Sequence, residues 1–138
     1  MANQITMELE DFIKTIYLGD QACKAILLDS WNEEIKIQAT CISRVRSGSW
    51  NYYTDEDIEN GYLIFEKAKS INFDPPGFIP NDFINDFSAE KLDDDFYAVT
   101  INISSINSKA ESISIDIRIV CKSLAIEDPK RPGFRIKD

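Results

Sequence analysis

The sequence predicts a β-rich α+β fold. It is mainly an antiparallel sheet of about five strands, arranged as a sandwich or half-barrel, with an N-terminal helix and one short helix. Three observations predict it. Ile113, Ile115, Ile117, Ile119 and Cys121 alternate with Ser114, Asp116, Arg118 and Val120, the period of a strand with one face on a core. Tyr97, Val99, Ile101 and Ile103 alternate in the same way with Ala98, Thr100 and Asn102. The turn between these two runs, Asn107 to Glu111, is too short for a parallel crossover, so they pair antiparallel. Helical spacing, by contrast, occurs in only two short stretches.

The first of these is Thr6 to Leu18, where Leu9, Phe12, Ile13, Ile16 and Tyr17 fall on one face. Thr6 is the expected N-cap, Glu8 and Glu10 suit the positive end of the helix dipole, and Gly19 is the expected stop. Cys23 to Leu28 and Ile35 to Cys41 then form a hairpin about the turn residues Asp29-Ser30-Trp31-Asn32. Arg44 to Tyr53 reads as a loop through Ser47-Gly48-Ser49, and Asp55 to Gly61 as an acidic loop. Tyr62 to Phe73 has strand character and ends at Asp74-Pro75-Pro76-Gly77. The second helix is expected after Pro80, capped by Asn81 or Asp82, with Phe83, Ile84 and Phe87 on one face. Glu127 to Asp138 carries Pro129, Pro132 and Gly133 and reads as irregular. No repeat, linker or boundary divides the chain, so residues 1–138 are expected to form a single domain.

Composition narrows the function. The chain has 138 residues, no histidine and a net charge of −9. Zero histidine removes the Ser-His-Asp triad, the Cys-His dyad and imidazole-dependent zinc sites. A pI near 4.5 argues against a duplex nucleic-acid ligand, which needs a basic face. Cys23, Cys41 and Cys121 form no CxxC pair and read as small buried hydrophobes. No secretory leader or bilayer-length apolar run is visible, and the expected location is cytoplasmic, with no membrane partner.

The charge is concentrated. Asp55, Glu56, Asp57 and Glu59 carry −4, and the stretch from Asp74 to Asp95 carries −6, so these two segments hold −10 and the remainder is close to neutral. Three readings apply: a solvated surface, a protein-binding face, or calcium. Carboxylates beside Trp50, Tyr52, Tyr53 and Phe78 have the make-up of a recognition patch that steers a basic partner and anchors it through aromatics. The calcium reading rests on Asp55, Asp57, Glu59 and Glu66 at positions one, three, five and twelve of an EF-hand loop. Asn60 stands where that loop needs glycine, and Tyr62 to Phe65 reads as a strand rather than an exiting helix. Arg44 and Arg46 beside the same aromatics suggest a weaker stacking platform for single strands, opposed by the adjacent acids. No pair among the 24 acids stands out for glycoside chemistry, and there is no glycine-rich phosphate loop.

Several stretches taken together carry a resemblance. They are Leu18-Gly19-Asp20 leading to Cys23-Lys24, Asp29-Ser30-Trp31-Asn32, Ile42-Ser43-Arg44, Trp50-Asn51-Tyr52, Asp55-Glu56-Asp57-Ile58, Gly77-Phe78-Ile79-Pro80-Asn81-Asp82, and Leu124 to Pro129. Over most of its length the chain resembles a family of small uncharacterised bacterial proteins, of the kind carried beside polymorphic toxin systems. The resemblance implies a cytoplasmic protein without enzymatic activity and carries over no site residues. The expected function is therefore non-enzymatic protein binding, as an immunity protein that neutralises a basic, nuclease-like toxin. The expected partner-binding residues are Asp55, Glu56, Asp57 and Glu59 with Tyr52 and Tyr53 as anchors, and Asp93, Asp94 and Asp95 as a second patch. No catalytic residue, metal or cofactor is expected. The alternative is a small-ligand or calcium-binding domain.

Overall fold

The computed structural model describes residues 7–45, 57–93 and 95–138. Among these the fold is mainly β, with one short helix, α1 (Leu9–Ile13), and three antiparallel sheets, none of them closed. A small sheet joins β1 (Ile16–Tyr17), β4 (Cys41–Arg44) and β5 (Ile58–Glu59) in the order β1-β4-β5. A five-stranded sheet contains β2 (Cys23–Asp29), β3 (Glu34–Ala39), β6 (Tyr62–Glu66), β11 (Ser123–Glu127) and β12 (Arg135–Ile136), ordered β12-β11-β6-β3-β2. A four-stranded sheet contains β7 (Ser70–Asp74), β8 (Ile84–Lys91), β9 (Tyr97–Ile106) and β10 (Ser112–Cys121), ordered β7-β10-β9-β8.

The two larger sheets are linked by one bent ribbon. β6 pairs with β11, and β7 with β10, both antiparallel. Between them the Lys122 amide donates to the Glu66 carbonyl at 3.0 Å, and the Lys69 amide to the Val120 carbonyl at 2.8 Å. Lys67, with φ +51°, turns the chain at this corner. β2 crosses from one edge of the four-stranded sheet to the other. Its start bonds to the start of β8 through an Ala22–Phe83 bridge, and its end shares a cleft with the start of β7.

Alternation puts one face of each sheet into a common core. Ile35 and Ile37 of β3, Leu63 and Phe65 of β6, Leu124 and Ile126 of β11, Val99, Ile101 and Ile103 of β9, and Ile115, Ile117 and Ile119 of β10 are buried there. Leu9, Phe12 and Ile13 of α1 join the same cluster. Burying side chains of this kind is the main stabilising force, at about 1.5–3 kcal/mol each.

Several expectations need correction. The N-terminal helix is five residues long, not the stretch from Thr6 to Leu18. It stops at Lys14; the Thr15 hydroxyl turns back to the Phe12 carbonyl at 2.7 Å, and Ile16 and Tyr17 pair with β4 instead. Its N-cap position is Glu8, while Thr6 lies outside the described residues. The second helix does not form, because Ile84 to Lys91 is strand β8. A bulge between Ile84 and Asp86 inserts an extra residue before Phe87, so the apolar spacing becomes three and imitates a helix. The run from Tyr62 to Phe73 is two strands in two different sheets. The tail is irregular except for β12, which pairs with β11. The pairing of β9 with β10 matches the sequence reading, and so does the hairpin of β2 and β3, except that β3 ends at Ala39 while Cys41 to Arg44 form β4 and Ile58 and Glu59, expected in a loop, form β5 of the small sheet.

Candidate functional site

Asp55, Glu56, Tyr52, Tyr53 and Asp94 lie outside the described residues. The described members of the two predicted patches gather about different residues. Glu59 is exposed on β5, directly opposite Cys41 of β4, and exposed Asp57 precedes it. The Cys41 thiol is pushed up, first by burial and then by the negative fields of Asp57 and Glu59. The following turn is made by Asn60 at φ +57°. Gly61 comes next because a side chain there would collide with Ile42 at 2.8 Å and Ile58 at 3.0 Å. Lys24 donates to the Asn60 side-chain oxygen at 2.7 Å.

Asp93 and Asp95 are exposed in the β8–β9 turn, with Asp95 at φ +65°. This patch reaches further than the sequence showed. The Tyr97 hydroxyl donates to the Glu8 carboxylate. That bond, with burial and the charges of Glu8, Glu10 and Asp95, raises the tyrosine to about 12. The start of α1 therefore lies close to the acidic turn, although the two are far apart in sequence. On the other side of the turn Phe96 is flanked by cations, with Lys69 at 4.2 Å and Lys122 at 5.2 Å from its ring centre.

The acidic residues between Asp74 and Asp95 were expected on irregular or helical segments. Asp74 ends β7, and Asp86 and Glu90 lie on β8. Their side of the four-stranded sheet is a polar array. The Asn85 amide donates to Asn102 and to Ser104, both at 2.9 Å, the Asn102 amide donates to Asp116 at 2.7 Å, and Ser114 donates to Asn102 at 2.8 Å.

Other carboxylates are engaged by the fold itself. The Arg135 guanidinium donates to both Glu34 oxygens, one of them at 2.9 Å, and to Glu66 at 2.6 Å. Glu66 also accepts from Ser123 at 2.8 Å and lies 2.7 Å from the Lys137 ammonium. Burial alone would raise Glu66, but these donors outweigh it and hold the carboxyl below its usual range. Glu66 is position twelve of the calcium spacing, so in this fold that oxygen pair is already coordinated by cations. Among the described residues no group of three or more Cys, Asp or Glu side chains is arranged to hold a metal.

Arg44 is no surface stacking platform. It is 2% exposed. Its guanidinium donates to Thr15 Oγ1 and to the Asp138 main-chain oxygen, both at 2.9 Å, and lies 5.2 Å from the Phe12 ring centre. Arg46 lies outside the described residues. Cys23 and Cys121 are buried, and burial pushes their thiols up to about 11 and about 12. Cys41 is only half-buried, so the reading of three buried cysteines holds for two.

Apart from Phe78, sequence reasoning missed a set of exposed apolar side chains. Trp31 is 95% exposed at the tip of the β2–β3 hairpin, beside exposed Leu28, and Ile79 is 78% exposed in the loop after β7, beside Phe78. The tip carries an Asx turn, with Asn32 donating to Asp29 through its amide at 3.2 Å and its side chain at 2.9 Å. These bonds hold the Asp29 carboxyl below its usual value. The available signal was the pairing of apolar residues with turn formers, Trp31 next to Ser30-Asn32 and Phe78-Ile79 between Gly77 and Pro80.

No helix among the described residues is long and apolar enough to cross a membrane. No curated protein and no solved structure matches the chain. One family model does, over residues 7–138, and the chain belongs to that family of unknown function, DUF6258.

Proposed function

We propose that this chain is a non-enzymatic, cytoplasmic protein-binding module, an immunity protein of a bacterial toxin system that neutralises a basic, nuclease-like toxin. One observation carries the reading. The fold uses Arg135 and Lys137 to compensate Glu34 and Glu66. It leaves Glu59, Asp93 and Asp95 exposed and outside any salt bridge among the described residues. Clustered exposed carboxylates steer association with a positive surface and favour it over other partners. In this reading Asp55, Glu56, Asp57 and Glu59, with Tyr52 and Tyr53, form one contact, and Asp93 to Asp95, extended by Glu8 and Glu10, form a second. The acids occupy the phosphate-binding surface of the toxin and block it.

The test is capture from an extract of the native cell with two baits. One is the wild-type chain; the other carries Asp57→Lys, Glu59→Lys, Asp93→Lys and Asp95→Lys. The reading predicts that the wild type retains a protein of basic pI and that the reversed bait loses it. Equal capture by both baits would retire it.

A further inference from the structure

The open edge of the four-stranded sheet is flanked by two clefts. β7 pairs only with β10 among the described residues, so its other edge presents backbone donors and acceptors without a strand partner. One cleft, of about 370 Å³, is lined by Leu28, Asp29, Glu33 and Ile35 with Lys69, Ser70 and Ile71. The next, of about 340 Å³, is lined by Ile71, Asn72 and Phe73 with Phe78 and Ile79. Ile71 lines both, so the two clefts adjoin at that residue of β7. Each is lined by consecutive β7 residues, which places it along the strand's edge rather than on one face. Either volume accommodates a large apolar side chain.

The charge beside this edge identifies what fits. Asp74 and Asp116 stand directly opposite each other in the β7–β10 register, and both are exposed. Like charges at that position are destabilising; Asp116 accepts from Asn102 at 2.7 Å and Arg118 lies on the same face, but neither carboxylate is in an ion pair among the described residues. Asp29 and Glu33 lie at the other end of the groove, facing Lys69. A strand carrying cations on its outward positions relieves the Asp74–Asp116 repulsion, and its apolar inward positions enter the two clefts. A second copy of this chain fits worse, since each copy carries −9.

We infer that β7 receives an extended, alternating basic and apolar segment of a partner protein, added as a fifth strand to the four-stranded sheet. This rests on the basic-partner reading above and gives it a binding mode.

The probe is a synthetic peptide alternating lysine with valine and phenylalanine, labelled for fluorescence anisotropy with the full chain. The comparison peptide has the same composition with all lysines in one block. The expected results are saturable binding of the alternating peptide, weaker binding of the block peptide, and slowed amide exchange confined to Ser70–Asp74. Asp74→Lys is expected to weaken binding about fivefold or more, as for a rim charge at an interface, and Phe78→Ser with Ile79→Ser to weaken it further. Equal binding of both peptides, an unchanged Asp74→Lys variant, or protection at β2 instead would overturn the inference. So would protection of β7 that grows with protein concentration alone, because the occupant would then be a second copy. Peptide binding at β7 with equal capture by the two baits retires the acidic-face reading and keeps strand addition. The converse result retires strand addition alone.

Discussion

Arg44 is the residue whose environment departs furthest from its type. A guanidinium at 2% exposure is held by Thr15, the Asp138 main-chain oxygen and the Phe12 ring, and its Nε has no hydrogen-bond partner among the described residues. Arg44→Ala strands those acceptors and leaves a cavity, so urea unfolding should show a loss of about 3 kcal/mol. A loss below 0.5 kcal/mol would contradict that account. Glu66 makes a prediction about pH. Its folded value lies below the ordinary 4.5, so the stability it contributes is present above the unfolded value. That contribution is lost as pH falls through the folded value. Glu66→Gln should therefore unfold at lower urea than wild type at pH 7, with the gap closing as pH drops below about 4.5; a pH-independent gap would contradict this. The thiols carry a third expectation. Cys23 and Cys121, raised by burial, should react with iodoacetamide at pH 7.5 far more slowly than in urea, as mass spectrometry of the labelled peptides would report. The burial of Cys23 and Cys121 was legible in their apolar segments; the surroundings of Arg44 and Glu66 were not. Arg44 and Glu66 find their partners at separations of 94 and 69 residues, which no local pattern encodes.

Strands β9 and β10 were readable because Tyr97, Val99, Ile101 and Ile103 on one, and Ile113, Ile115, Ile117, Ile119 and Cys121 on the other, keep a period of two. Strand β8 was not, since its bulge turns Ile84 and Phe87 into an apparent helical pair. The same local logic shortened α1, whose apolar stripe continues through Ile16 and Tyr17 into a strand. Strand β12 is two residues long and has no periodicity to read; the ion cluster holds it. Register places Ile64 and Ala125 on the same outward face as that cluster, yet both are fully buried. Removing the clamp should release this element while sparing the rest. In Arg135→Ala, amide exchange should accelerate at residues 126–136 and stay slow in β9 and β10. Uniform acceleration across all strands would show that the cluster supports the whole fold rather than its last strand.

Across the whole molecule, the sequence located the acidic residues but not their geometry. Asp57 and Glu59 of the first segment lie about Cys41; of the second, Asp95 shares the surroundings of Tyr97 with Glu8 and Glu10 from the chain's other end, while Asp74, Asp86 and Glu90 lie on strands. The open edge at β7 was invisible to pattern reading, because which strand lies outermost is decided by pairing between distant segments. If the acidic groups steer a basic partner, their effect belongs in the association rate and falls with salt. The most direct measurement is stopped-flow association of the captured partner with wild type and with the Asp57, Glu59, Asp93 and Asp95 lysine variant, from low to physiological salt. The predicted result is an association rate at least about tenfold lower for the variant at low salt, with a much flatter salt dependence. Equal rates with equal salt slopes would contradict the claim that these carboxylates form the binding face.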